Sequence, residues 1–124
     1  MTKKREISVL FVLYVLGIIF VSLIPGGVFP SGGMSYMDKV GHFLAYSGLG
    51  FLIGLTFRSR NGRLLVALSA ICLGFLLEWG QSFIPGRDMS LADGLVNTCG
   101  VIMGMFIYHW WGHALEKRFD NFLI

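Results

Sequence analysis

The stretch LLVALSAICLGFLLEWGQSF, residues 64–83, decides the fold. It holds one acidic residue, Glu78, in a run close to the ~20 apolar residues that a helix needs to cross bilayer hydrocarbon. Three further runs share this character, at 7–24, 40–57 and 94–111, and little chain remains outside them. Across 124 residues, 55% are apolar, 15% aromatic and 14% charged, where a soluble domain carries about 25% charge. So short a chain has too few polar residues to cover a soluble core. The expected fold is an all-α membrane protein, a single domain over 1–124 with four transmembrane helices in a bundle.

The chain between these runs sets their orientation. Lys3, Lys4 and Arg5 precede a first run that is longer than the apolar part of a signal peptide and lacks a small-residue cleavage site, so an uncleaved helix is expected. Pro25, Gly26, Gly27, Pro30, Gly32 and Gly33 predict an irregular loop, the longest connection, over 25–39. Lys3, Lys4, Arg5, Arg58, Arg60, Arg63, Lys117 and Arg118 fall on one side of the four runs, against Lys39 and Arg87 on the other. By the positive-inside rule both termini are cytoplasmic and the loops at 25–39 and 85–93 face outward. Tyr108, Trp110 and Trp111, with His109 and His113 beside them, suit the inner interface. Gly50-x-x-x-Gly54 and Gly100-x-x-x-Gly104 predict close helix contacts. Cys72 and Cys99 lie within apolar runs, which indicates neither a disulfide framework nor a zinc site. The net charge of +3 comes without a basic stripe bearing interleaved aromatics, so nucleic acid is not an expected partner.

The informative residues are the polar ones inside and beside the runs. Asp38, His42 and Tyr46 repeat every four residues, a spacing that drifts only ~40° per step and keeps one helix face. Glu78 and Gln81, three apart, share a face at the end of the third run. Asp93 and Asn97 open the fourth, preceded by Arg87 and Ser90. With the topology above, three helices bring polar stripes to one outer depth. Ionisable groups in hydrocarbon are costly, about 2.5–3.5 kcal/mol or more each, and usually mark a site or pathway. The competing reading is that they only tie helices together, which gives no reason for gathering at one face.

Several chemistries suit this set. Asp38, Glu78 and Asp93 with His42 are ordinary donors for a divalent cation, but no metal-binding spacing supports one, and neither metal nor cofactor is assigned. His42 with Glu78 or Asp93 could serve as an acid–base pair. Arg87 and Lys39, at the outer surface, suit a phosphate or carboxylate, and Arg87 has the geometry to do so bidentately; the alternative for Arg87 is an ion pair with Asp88, Asp93 or Asp38. A proton or ion pathway would need polar residues at successive depths, and the inner halves of the runs are nearly bare of them.

Asp38-Lys39-x-x-His42-Phe43-x-x-Tyr46, then Glu78-x-x-Gln81-x-x-x-Pro85-Gly86-Arg87, then Ser90-x-x-Asp93-x-x-x-Asn97-x-x-Gly100 together resemble the VanZ-like family. The resemblance covers residues 38–104 and implies a small multi-pass protein of the bacterial cytoplasmic membrane, in a family named after a member that raises resistance to teicoplanin. The leading expectation is a binding module. Asp38, Lys39, His42, Tyr46, Glu78, Gln81, Arg87, Ser90, Asp93 and Asn97 would line an outer-leaflet pocket for an anionic amphiphile, be it a membrane lipid, a lipid-linked cell-wall precursor or a lipoglycopeptide. The alternative is a membrane enzyme acting on a lipid headgroup through His42 with Glu78 or Asp93.

Overall fold

A computed structural model describes residues 3–25 and 35–120 of the chain. It is all-helical among the described residues: α1 (Lys3–Ser22), α2 (Ser35–Thr56), α3 (Arg60–Gln81), α4 (Leu91–Ile107), a π-helical turn (Tyr108–Gly112) and α5 (His113–Asp120). Four main helices correspond to the four apolar runs. Part of the connection expected over 25–39 lies outside the described residues, and α2 begins at Ser35, so the segment carrying Asp38 and Lys39 is helical rather than loop.

Local chemistry explains the boundaries. Ser59 caps α3, its Oγ accepting the Gly62 N–H at 3.0 Å, which starts that helix before the expected residue 64. Ser90 does the same for α4, accepting from the Asp93 N–H at 3.2 Å and starting it before residue 94. Both are the hydroxyl caps that satisfy a helix's orphan amides. Between α3 and α4 the chain turns through Gly86, whose φ of 76° falls in the left-handed region that glycine adopts without penalty.

The core is built around α2. Tyr46, Leu49 and Ile53 of α2 pack with Ala67 and Ala70 of α3 and Val101 of α4, all buried. The most extensive helix contact is between α2 and α4, with α3 resting mainly on α4 and α1 on α2. Glycines make the α2–α4 seam possible. A methyl on Gly50 would meet the Val101 carbonyl, and one on Gly104 would meet the Ser47 carbonyl and the Phe51 amide. Both belong to the glycine pairs expected to bring backbones together.

The outer surface is apolar. Leu13, Leu16 and Phe20 of α1, Leu65, Leu68 and Leu76 of α3, and Leu95, Ile102 and Phe106 of α4 are all exposed, as helices in lipid require and helices in water do not allow. Lys4–Ser22, Arg60–Gln81 and Leu91–Arg118 are long and apolar enough to cross a membrane. The fourth run therefore extends past residue 111 through the π turn. α2, the fourth expected span, is 22 residues long and carries its charged residues, Asp38 and Lys39, in its first turns. Most of its side chains are at least partly covered by the neighbouring helices, while Leu44 is exposed like the apolar residues of the other three.

Trp110 and Trp111 are exposed, as interfacial rings would be, but Tyr108 is 3% exposed. Its hydroxyl accepts from Arg63 Nη2 at 2.7 Å and donates to Glu116 Oε1 at 3.1 Å. The polar tip is satisfied inside the protein, so Tyr108 is a core residue and no part of an interfacial belt. His113 lies 3.7 Å from Glu116, and Cys72 and Cys99 are free and exposed.

Candidate functional site

The N-terminal ends of α2 and α4 and the C-terminal end of α3 meet at one end of the bundle. Here the four-residue repeat of α2 faces α4. Lys39 Nζ donates to Asp93 Oδ1 at 3.0 Å. One turn further, His42 Nδ1 lies 2.9 Å from Asn97 Oδ1. The other ring nitrogen, Nε2, is 3.8 Å from Asp38 Oδ2, and Nδ1 is also 4.0 Å from Glu78 Oε1. One imidazole thus touches groups on α2, α3 and α4.

Ser90 joins the other two helices. Its Oγ caps α4 through the Asp93 amide, and its own N–H donates to Glu78 Oε2 at 3.3 Å. Glu78 and Asn97 are each 2% exposed and Asp93 7%. Asp38 is exposed and Lys39 and His42 are half-buried, so the set runs from an open rim to a closed floor. Tyr46 lies below it, buried, with its ring and the Asn97 amide both against the bare backbone of Gly74. Asp38 and Asp93 each stand in the first turn of a helix, where the positive end of the helix dipole favours a carboxylate.

Of the expected residues, Asp38, Lys39, His42, Glu78, Ser90, Asp93 and Asn97 form this cluster, with Tyr46 beneath it. Gln81 and Arg87 turn toward α1 instead. Gln81 Nε2 donates to the Ser22 carbonyl at 2.9 Å. Arg87 donates through Nε to the Ile24 carbonyl at 3.0 Å and through Nη2 to the Val21 carbonyl at 3.3 Å. The last carbonyls of a helix lack intrahelical donors, and a cation suits the negative end of the helix dipole. Both side chains thus fasten the end of α1 to the α3–α4 connection. Gly74, which makes room for Tyr46 and Asn97, is a further contributor; its sequence signal, a glycine in an apolar helix, does not tell it from the others.

Chemically the cluster is acidic and asymmetric. Three carboxylates face one ammonium, from Lys39, and one imidazole. Asp38, His42 and Asp93 each offer a donor atom within 4.8 Å of the others, so these are the residues able to hold a cation. His42, bracketed by Asn97 and Asp38, is also the group placed to take up or release a proton.

Neither the curated proteins nor the solved structures contain a match to this chain. A family model described as VanZ/LLP1 matches residues 4–112, which include all four main helices but for the first residue of α1 and every residue of the cluster. The polar motifs on α2, α3 and α4 and the helical bundle that brings them to one end agree with that match, and the chain belongs to the VanZ/LLP1 family.

Proposed function

We propose that this protein is a multi-pass component of the bacterial cytoplasmic membrane whose α2–α3–α4 cluster opens to the outer leaflet and binds the headgroup of an anionic amphiphile. A lipid-linked cell-wall precursor or a lipoglycopeptide of the teicoplanin type fits this description, and glycopeptide resistance of that type is the corresponding envelope role. The outward orientation is supported by the lysine and arginine distribution and by Gln81 and Arg87, whose bonds put the far end of α1, opposite Lys4 and Arg5, beside the cluster.

The observation that carries the reading is the burial of Glu78, 2% exposed, with one backbone amide as its hydrogen-bond donor among the described residues. A buried carboxylate so sparsely paired is poor glue, because its desolvation outweighs what one bond returns. An ionisable residue inside the membrane usually marks a functional site, and because a carboxylate repels an anion, the headgroup's anionic oxygens meet the lysine at the rim and not Glu78 itself. Lys39, half-buried at the rim, is the cation available to an arriving phosphate or carboxylate.

A second reading is favoured by the position of His42. Its ring is held between Asn97 and Asp38 with Glu78 behind, an arrangement that also suits acid–base work on a lipid headgroup.

The test is thermal unfolding of the detergent-purified chain with phosphatidylglycerol, lipid-linked peptidoglycan precursor or teicoplanin, since a ligand stabilises by mass action. A raised midpoint with one of these, lost in Lys39→Met, is expected. No shift from any of them would overturn the binding reading. Under the enzymatic reading, His42→Ala binds as before but no longer alters the lipid.

A further inference from the structure

The orientation of one imidazole leads beyond a headgroup site. Asn97 Oδ1 only accepts hydrogen bonds, so the His42 nitrogen 2.9 Å from it, Nδ1, carries the donated proton. In the neutral ring this leaves the Nε2 lone pair free, and Nε2 points to the side where Asp38 Oδ2 stands 3.8 Å away. A lone pair and a carboxylate oxygen facing each other call for a positive charge between them. A histidine fixed through its second nitrogen by a polar neighbour is the usual support of a metal ligand.

Two further observations point the same way. Asp93, on another helix, completes a set in which donor atoms of Asp38, His42 and Asp93 lie within 4.8 Å of one another. Glu78, nine-tenths buried and more, adds negative charge directly behind the ring; one of its oxygens bonds the Ser90 amide, and the other, 4.0 Å from Nδ1, has no hydrogen bond among the described residues. Lys39 neutralises one of the three carboxylates.

We propose that Asp38, His42 Nε2 and Asp93 form a binding site for a divalent cation at the rim of the cluster, with Asn97 orienting the imidazole and Glu78 supplying charge from behind. One imidazole with carboxylates suits zinc or manganese better than calcium. Ligand atoms around a four-coordinate zinc lie roughly 3.3–3.5 Å apart, so the present separations close by a modest side-chain rotation. Asp38, with 58% of its side chain exposed, is free to make it. Lys39 occupies Asp93 Oδ1, and its side chain, 38% exposed, is able to withdraw into water. Ammonium and metal therefore compete for Asp93. Three protein ligands leave coordination positions open, and a cation there would receive an anionic oxygen; that last step rests on the headgroup reading above, whereas the cation site does not.

The experiment uses the full chain in detergent, stripped with chelator and titrated with Zn2+, Mn2+, Mg2+ or Ca2+ by calorimetry and thermal unfolding, with no lipid precursor or antibiotic present. Saturable binding of one equivalent of Zn2+ or Mn2+ is expected, weakened at least tenfold in Asp38→Asn, an exposed position that folding tolerates. Lys39→Met is expected to tighten the metal severalfold by removing the competing ammonium, whereas a purely structural ion pair predicts no gain. Cobalt substitution gives an independent readout, a visible absorption band that shifts or vanishes in Asp38→Asn. No saturable binding, or binding unchanged in both variants, as at the exposed His109 and His113, would overturn the proposal. Cation binding without any response to phosphatidylglycerol, precursor or teicoplanin would leave the metal site standing and remove the headgroup reading.

Discussion

The Lys39 ammonium lies 3.0 Å from the Asp93 carboxylate and ties the start of α2 to the first turn of α4 across 54 residues of sequence. The two ends of this bond are unequal, with 38% of the lysine side chain exposed and 9% of the aspartate's. Lys39→Met therefore leaves a buried carboxylate without its ammonium and is expected to lower stability by about 1–3 kcal/mol. Asp93→Asn lets the lysine move into water and costs less, about 1 kcal/mol. The double variant is expected to recover part of the sum, with a coupling of about 0.5–3 kcal/mol, measured by unfolding in detergent with chelator present. Strict additivity would mean that the pair contributes nothing.

The α2–α4 seam gives a prediction with opposite signs at two glycines. At Gly104 a methyl meets the Ser47 carbonyl and the Phe51 amide, both backbone and unable to yield without parting the helices. Gly104→Ala is expected to destabilise by about 1–3 kcal/mol or more. Around Gly17, in α1, nothing lies within 4 Å of the added carbon, and there alanine is expected to be neutral or to stabilise by up to ~1 kcal/mol through helix propensity. Thermal midpoints of the two variants settle the matter; equal loss in both would contradict the seam.

These glycines show what the sequence makes legible. Gly50 and Gly104 stand in four-residue pairs on apolar helices, a pattern that signals close approach. Asp38, His42, Glu78, Asp93 and Asn97 stood out for a similar reason, being polar in runs that otherwise exclude polarity, and helical spacing then fixed their shared faces. Gln81 and Arg87 carried the same signal but a different use. Their partners are the carbonyls of Val21, Ser22 and Ile24, and a backbone carbonyl has no side-chain signature, so composition cannot tell a cation that binds a ligand from one that caps a helix. Tyr108 was hidden likewise, since an aromatic residue near a helix end reads the same whether its hydroxyl meets water or Arg63.

Arg87 leads to a third prediction. Its guanidinium spans the Ile24 and Val21 carbonyls, so Arg87→Gln is expected to loosen the end of α1 with little effect on the α2–α4 seam. Hydrogen exchange is the suitable measurement, because local openings are read segment by segment. Exchange should rise several-fold at the amides of 19–24 and stay unchanged at 97–104. Arg87→Lys keeps the charge near the helix end but loses the two-point geometry, and is expected to restore protection only in part. A uniform rise along all helices would instead make Arg87 a contributor to global stability.

At the opposite end of the bundle, Tyr108 separates a hydroxyl's contribution from a ring's. The ring sits against Gly54 of α2 and Gly112 of the π turn, positions where any side chain would collide with it, and the Arg63 guanidinium lies 4.6 Å from its centroid. The hydroxyl bridges Arg63 and Glu116. Tyr108→Phe keeps the packing and the cation–π contact. Arg63 also retains its bond to the Phe57 carbonyl, and Glu116, partly exposed, is rehydrated. The expected loss is therefore about 1–2 kcal/mol. Tyr108→Ala empties the space between two glycines and is expected to cost about 3–5 kcal/mol, as large-to-small changes in a core do. Because this network lies at the far end of α2 and α4 from Asp38 and Asp93, either variant should leave cation affinity at the other end unchanged in the folded fraction. A phenylalanine variant as stable as the parent would show that the π turn is held by ring packing alone.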